Sequence, residues 1–160
     1  MLLAIDIGNT NLVIGCIEND RILFKARIAT DRLRTSDQYG VEIKSMLEAF
    51  GVCKDDVADC IISSVVPQVF NSVKTGVIKV IGKQPMVVGP GLKTGLNIHV
   101  EVPSQLGSDR IEEELGHSAT LVATGGMAQF ITPLCKHSIL LDKDLLLKGL
   151  NIIYRKNKRP

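Results

Sequence analysis

Three short β-branched runs separated by two clusters of turn residues occupy the first 28 positions, and they restrict the chain to folds that open on an antiparallel meander. Leu2–Ile7 ends at Gly8-Asn9-Thr10-Asn11, Leu12–Ile17 ends at Glu18-Asn19-Asp20, and Ile22–Ile28 alternates with Lys25 and Arg27. The Gly and Asn residues of the first cluster tolerate positive φ, which predicts a tight turn there.

The pattern then changes period. Thr35 followed three residues later by Gln38 is a capping-box spacing. Val41, Ile43, Met46, Leu47 and Phe50 recur near helical spacing until Gly51 stops them. Residues 57–66 hold the apolar run Cys-Ile-Ile-Ser-Ser-Val-Val and predict a strand, and Pro67 is placed to open a helix marked by Val69, Phe70, Val73, Val77, Ile78 and Ile81. The order to that point is βββαβα. A strand at 86–88 leads into a loop rich in Gly over 89–95. A helix at 106–115, a buried strand at 119–123, a glycine turn opening a helix near 127–132, and a terminal helix at 145–154 complete the expectation.

Composition narrows the function classes. Nineteen Lys and Arg against 17 Asp and Glu give a net charge of +2, which excludes a strongly basic nucleic-acid binder. With 160 residues and 45% apolar content, one globular domain is the default, burying roughly 68–70% of its unfolded surface. No apolar run reaches membrane-spanning length and the start MLLAIDIGN lacks the parts of a secretory signal, so the expected location is cytoplasmic, with no membrane partner. Cys16, Cys53, Cys60 and Cys135 form no CxxC pair and are expected to pack mostly as small hydrophobes. His99, His117 and His137 share no metal-ligand spacing, and the basic tail 155–159 reads as a solvated helix end.

Three segments carry candidate chemistry. In Asp6-Ile7-Gly8-Asn9-Thr10-Asn11 a carboxylate at a strand end precedes a glycine turn with amide and hydroxyl side chains. Gly8 would let backbone N–H groups approach phosphate oxygens, Thr10 would donate a hydroxyl, and Asp6 would hold Mg²⁺ directly or through water. The same residues also suit an ordinary β-hairpin. Neither GxxxxGK[ST] nor GxGxxG occurs, which removes two common nucleotide folds. In Gly107-Ser108-Asp109-Arg110 the Asp could accept a proton from a substrate hydroxyl while the Arg steers an anion; a solvent ion pair is the plainer reading. Thr124-Gly125-Gly126, after an apolar strand, could bring N–H groups to a nucleotide or could be a plain turn.

At these motifs the sequence resembles the type III pantothenate kinases, a branch of the acetate and sugar kinase, heat-shock chaperone and actin superfamily. The resemblance covers LLAIDIGNTNLVIG, Ser63-Ser64-Val65-Val66-Pro67, GPGLKTGLNI at 89–98, VPSQLGSDR at 102–110, and the end from ATLVATGGMA to GLNIIYRKN. It implies an α/β fold with a ribonuclease-H-like N-terminal domain on a mixed sheet, residues 1–111, followed by an incomplete second domain, 112–160. It implies ATP-dependent phosphorylation of pantothenate towards coenzyme A by a cytoplasmic homodimer that uses Mg²⁺ and a monovalent cation, K⁺ or NH₄⁺. Asp6, Ile7, Gly8, Asn9, Thr10, Asn11, Leu12 and Val13 would form the ATP phosphate site. Gly107, Ser108, Asp109 and Arg110 would contact pantothenate, and Asp109 would accept its proton. The family's second DFGT-type strand and turn, with its expected monovalent-cation ligand, has no counterpart here. The text passes from Ile111 directly to Glu112-Glu113-Glu114, which implies an internal deletion at that seam. The other reading is a non-catalytic nucleotide- or pantothenate-binding remnant, or a regulatory accessory factor.

Overall fold

Alternation in the opening strands sorts their side chains onto two faces, and helices pack on both. In a computed structural model, residues 1–93, 120–135 and 138–158 are described. β1 (Leu2–Ile7), β2 (Asn11–Glu18) and β3 (Arg21–Ala29) form the expected meander, β1 matching its apolar run and β2 and β3 each extending theirs by one residue at both ends. β4 (Asp59–Ser64) then pairs parallel with β1, and the two-residue β5 (Met86–Val87) pairs parallel with β4. The sheet order is β3-β2-β1-β4-β5, a mixed sheet of the ribonuclease-H-like type.

On one face, Leu3, Ile5 and Ile7 line up with Leu12, Ile14 and Cys16 of β2 and with Cys60 and Ile62 of β4. Two helices cover this row: α1 (Ser36–Ala49) through Tyr39, Ile43 and Leu47, and α2 (Pro67–Ile81) through Val69, Val73 and Val77. Full burial of each aliphatic side chain contributes roughly 1.5–3 kcal/mol, so this layer is the main source of stability. The Thr35 capping box forms with both bonds in place, Gln38 N–H to the Thr35 hydroxyl and Thr35 N–H to the Gln38 side chain. Pro67 occupies the first turn of α2, as expected. The helices cross closely at Gly40 and Gly76, where a Cβ on Gly76 would stand 2.7 Å from the Ser36 carbonyl oxygen and 2.9 Å from the Gly40 nitrogen.

The opposite face is partly covered by the end of the chain. α4 (Leu145–Asn157) buries Leu147, Leu150 and Tyr154, and the Leu147 methyls occupy the place that a side chain on Gly15 would take. Arg155 and Asn151 bind the Asp20 carboxylate, with Arg155 Nη1 at 2.7 and 2.6 Å and Asn151 Nδ2 at 2.7 Å. The tail is therefore a docked element at Arg155 and not only a solvated helix end. These contacts hold the Asp20 carboxyl below the usual carboxylate range, chiefly through the Arg155 hydrogen bonds.

Two compact units result: Met1–Thr94 with Leu147–Pro160, and Gly95–Leu146. In the second unit, β6 (Leu121–Ala123) and β7 (Ile139–Leu141) pair in parallel, and between them lie α3 (Ala128–Ile131) and a 3-10 turn, Thr132–Leu134. The strand expected at 119–123 is there, but it is not buried: Val122 is 44% exposed, because its two-stranded sheet offers little to cover it. β7 was not expected from the sequence. The helix expected at 106–115 and the boundary expected between 111 and 112 lie outside the described residues. Cys16 and Cys60 are buried in the first sheet, where burial pushes both thiols up, whereas Cys53 and Cys135 are exposed, contrary to the packing expected of them. Among the described residues, no helix is long and apolar enough to cross a membrane.

Candidate functional site

The end of β1 brings a carboxylate to the edge of the sheet beside a tight turn. Asp6 sits opposite Val13 of β2 and Ser63 of β4, and Val13 sits opposite Arg27 of β3. Cross-strand partners share a face, so Arg27, Val13, Asp6 and Ser63 form one row on the face opposite the α1–α2 layer. The Ser63 hydroxyl donates to Asp6 Oδ1. Among the described residues the hydrogen bond shown to this carboxylate is on Oδ1, which leaves Oδ2 to meet a ligand.

Beyond Asp6, the Gly8 N–H donates to the Asn11 carbonyl oxygen at 3.1 Å and closes a turn whose tip, Asn9 and Thr10, is exposed. A Cβ on Gly8 would lie 3.0 Å from that oxygen, so the turn needs glycine for close approach. It does not need left-handed backbone. Among the described non-glycine residues only Asn19 and Asp20, in the β2–β3 turn, have positive φ, at 47° and 66°, the pattern of a two-residue type I′ hairpin. The tight turn expected at the first cluster is present without positive φ, and the left-handed conformation is taken up in the second cluster instead. Among the described residues the Asn9 and Thr10 N–H groups have no acceptor, which leaves two backbone donors at the tip of the turn.

This donor set can hold a polyphosphate, with backbone N–H groups and the Thr10 hydroxyl on the oxygens. It also fits Mg²⁺. Among the described residues no group of three or more His, Cys, Asp or Glu forms a metal cage, but Mg²⁺ is typically held by one or two carboxylates together with substrate phosphates, and Asp6 has an oxygen to give. Ile7 and Leu12 are buried beneath the turn as its apolar base.

Gly107, Ser108, Asp109 and Arg110 lie outside the described residues. Thr124, Gly125 and Gly126 follow β6 in the second unit, where Gly125 has φ of 100° and its carbonyl accepts from the Ala128 N–H at 3.3 Å. The helix they open, α3, is a single turn of four residues, too short to develop the N-terminal dipole that would draw a nucleotide there. Thr30 was not singled out in the sequence, and Ser63 appeared only within the Ser63–Pro67 segment of the resemblance with no site role, yet both bond the site directly. A hollow of about 540 Å³ lies at the other end of β1, lined by Asp20, Asn151, Tyr154 and Arg155 among others; those polar groups are already paired, and none of the turn residues reaches it.

The chain is similar to several known proteins. The type III pantothenate kinase from Bifidobacterium longum subsp. infantis is 51% identical over 116 residues, covering 72% of this chain and 46% of that protein. The one from Bifidobacterium longum strain DJO10A is 39% identical over 155 residues, covering 94% and 60%. That from an Exiguobacterium species is 41% identical over 134 residues, covering 84% and 49%. The chain spans about half the length of the curated relatives it matches. Among solved structures, a ROK hexokinase from Thermus thermophilus matches at a TM-score of 0.44 and 13% identity, over 78% of this chain and 43% of that one. The type III pantothenate kinase profile matches residues 2–124, a span that contains the Asp6 turn, the Ser63 strand and the Asp109 segment together, and by that match the chain belongs to the type III pantothenate kinase family.

Proposed function

We propose that the chain binds the triphosphate of ATP at the Asp6–Val13 turn and transfers the γ-phosphoryl group to the hydroxyl of pantothenate. The observation that carries this reading is the Asp6 carboxylate, fixed by Ser63 beside a glycine turn with two unpartnered N–H groups, inside the span that matches the family. Phosphoryl transfer asks mainly for alignment and charge neutralisation, and these residues are suited to both. The turn orients the phosphates through Asn9, Thr10 and Asn11. Asp6 would hold Mg²⁺, which supplies neutralisation of the phosphate charge when bound. Asp109 accepts the proton of the pantothenate hydroxyl as its oxygen bonds to the γ-phosphorus and the bond to ADP breaks. Arg110 orients the acceptor's anionic end. The resemblance extends the proposal to a cytoplasmic homodimer that uses K⁺ or NH₄⁺.

The test is transfer of labelled phosphate from ATP to pantothenate by the purified chain with Mg²⁺ and K⁺, beside Asp109→Asn and Asp6→Asn. The expected outcome is turnover that Asp109→Asn lowers by about 10²–10⁴-fold, the usual contribution of a general base. Turnover no greater than that of the two variants would remove the kinase activity from this chain, and binding of ATP without transfer would reassign it as a nucleotide-binding protein.

A further inference from the structure

Thr30 lies just past the end of β3 and reaches back to the β1–β2 turn. Its hydroxyl donates to the Gly8 carbonyl oxygen at 2.6 Å, and its backbone N–H donates to the Thr10 carbonyl oxygen at 2.9 Å. One residue therefore holds both sides of the turn. Without it, the tip beyond the Ile7–Leu12 pair depends on the single Gly8-to-Asn11 bond. An exposed hairpin end tied by one bond opens readily.

Thr30 is in turn fixed from the core. Tyr39 of α1 is 0% exposed and its phenol makes two bonds to the next residue, donating to the Asp31 carbonyl oxygen at 2.7 Å and accepting the Asp31 N–H at 3.1 Å. The Asp31 carboxylate accepts the Leu33 N–H at 2.9 Å, so the loop after β3 folds onto this anchor. Hydrogen bonds and the Thr30–Asp31 peptide thus link a buried aromatic ring to the Gly8 and Thr10 carbonyl groups on either side of the tip. Donors held in place before a ligand arrives cost no ordering at the moment of binding, which is where such a link has its effect.

We infer that Thr30 is a positioning residue for the phosphate-binding turn and that Tyr39 is its anchor, together setting the Asn9 and Thr10 N–H groups for the oxygens of a polyphosphate. The inference rests on the assignment of ATP to this turn. Thr30→Val keeps the shape and removes the hydroxyl donor, Thr30→Ser keeps the donor and removes a methyl group, and Tyr39→Phe removes only the anchor's oxygen.

Three quantities are measured on the full chain: amide hydrogen exchange at Gly8–Asn11 without ligand, the dissociation constant for MgATP, and the thermal midpoint. Thr30→Val is expected to speed exchange at Gly8 and weaken MgATP by about 3–10-fold, the range of one net hydrogen bond, while Thr30→Ser stays within about twofold of the parent. Tyr39→Phe is expected to move both in the same direction as Thr30→Val. If Thr30→Val merely lowers the thermal midpoint, with exchange at the turn and MgATP affinity unchanged, the positioning role is overturned while the ATP assignment stands. If the parent itself binds no MgATP, the ATP assignment falls and the positioning role falls with it, and the exchange data then decide only whether Thr30 orders the turn.

Discussion

Tyr154 shows how one side chain ties the end of the chain to the first sheet. Its ring is buried on α4 and its O–H donates to Asp59 Oδ2 at 2.9 Å, at the start of β4. Burial, followed by the hydrogen bond and charge of Asp59, pushes its pKa up from 10.0 to about 12. The folded protein keeps a proton that the unfolded chain releases near pH 10, so the bond's contribution is complete below that pH and is lost as pH rises from about 10 to 12. Thermal midpoints measured across that window should fall more steeply for the parent than for Tyr154→Phe, and parallel curves would show that the phenol is not linked to folding. At this scale the sequence is informative only where partners are close along the chain. Asp6 and Gly8 stand out because their chemistry is in adjacent positions. The roles of Ser63 and Thr30 do not, since these residues meet the site from 57 and 22 residues away, and even the resemblance at Ser63–Pro67 does not say what Ser63 bonds.

Between elements, α1 and α2 cross with backbone close against backbone. Gly76→Ala would press a methyl group against backbone atoms at 2.7 and 2.9 Å, and neither can rotate aside. The expected cost is about 1–3 kcal/mol in a denaturant titration. Gly149→Ala, inside α4 with open space around it, is expected to gain roughly 0.5–1 kcal/mol. Equal effects from the two would contradict the helix crossing described above. The same contrast explains which elements could be read in advance. α1 was legible because its capping box is local, complete within residues 35–38, and because its apolar positions repeat at helical spacing. The first three strands were legible from their turn clusters. β7 was not: three residues with one partner strand carry no period, and Ile139–Leu141 becomes a strand only because β6 lies beside it. The apolar run at Leu121–Ala123 gave the strand correctly and its burial wrongly, since burial depends on what covers a strand and not on its composition.

At the scale of the molecule, the first unit is built from two distant stretches, with Leu147 onward returning to the sheet formed by the first 94 residues. A chain ending at Asp144 would lose the burial of Leu147, Leu150 and Tyr154, each worth roughly 1.5–3 kcal/mol against a typical total of 5–15. It is expected to melt well below the parent and to bind a hydrophobic dye on the uncovered face of β1 and β2; melting where the parent melts would mean that α4 adds nothing to that unit. The discontinuity has a further effect. Gly95–Leu146 is inserted between two stretches of one folded unit, so in the connectivity of the chain it closes a loop on that unit. The entropy of closing such a loop grows only with the logarithm of its length, so doubling the segment would raise the cost by about 0.6 kcal/mol. Material can be gained or lost between those two stretches with almost no change in how firmly the sheet, the turn and the last helix hold together.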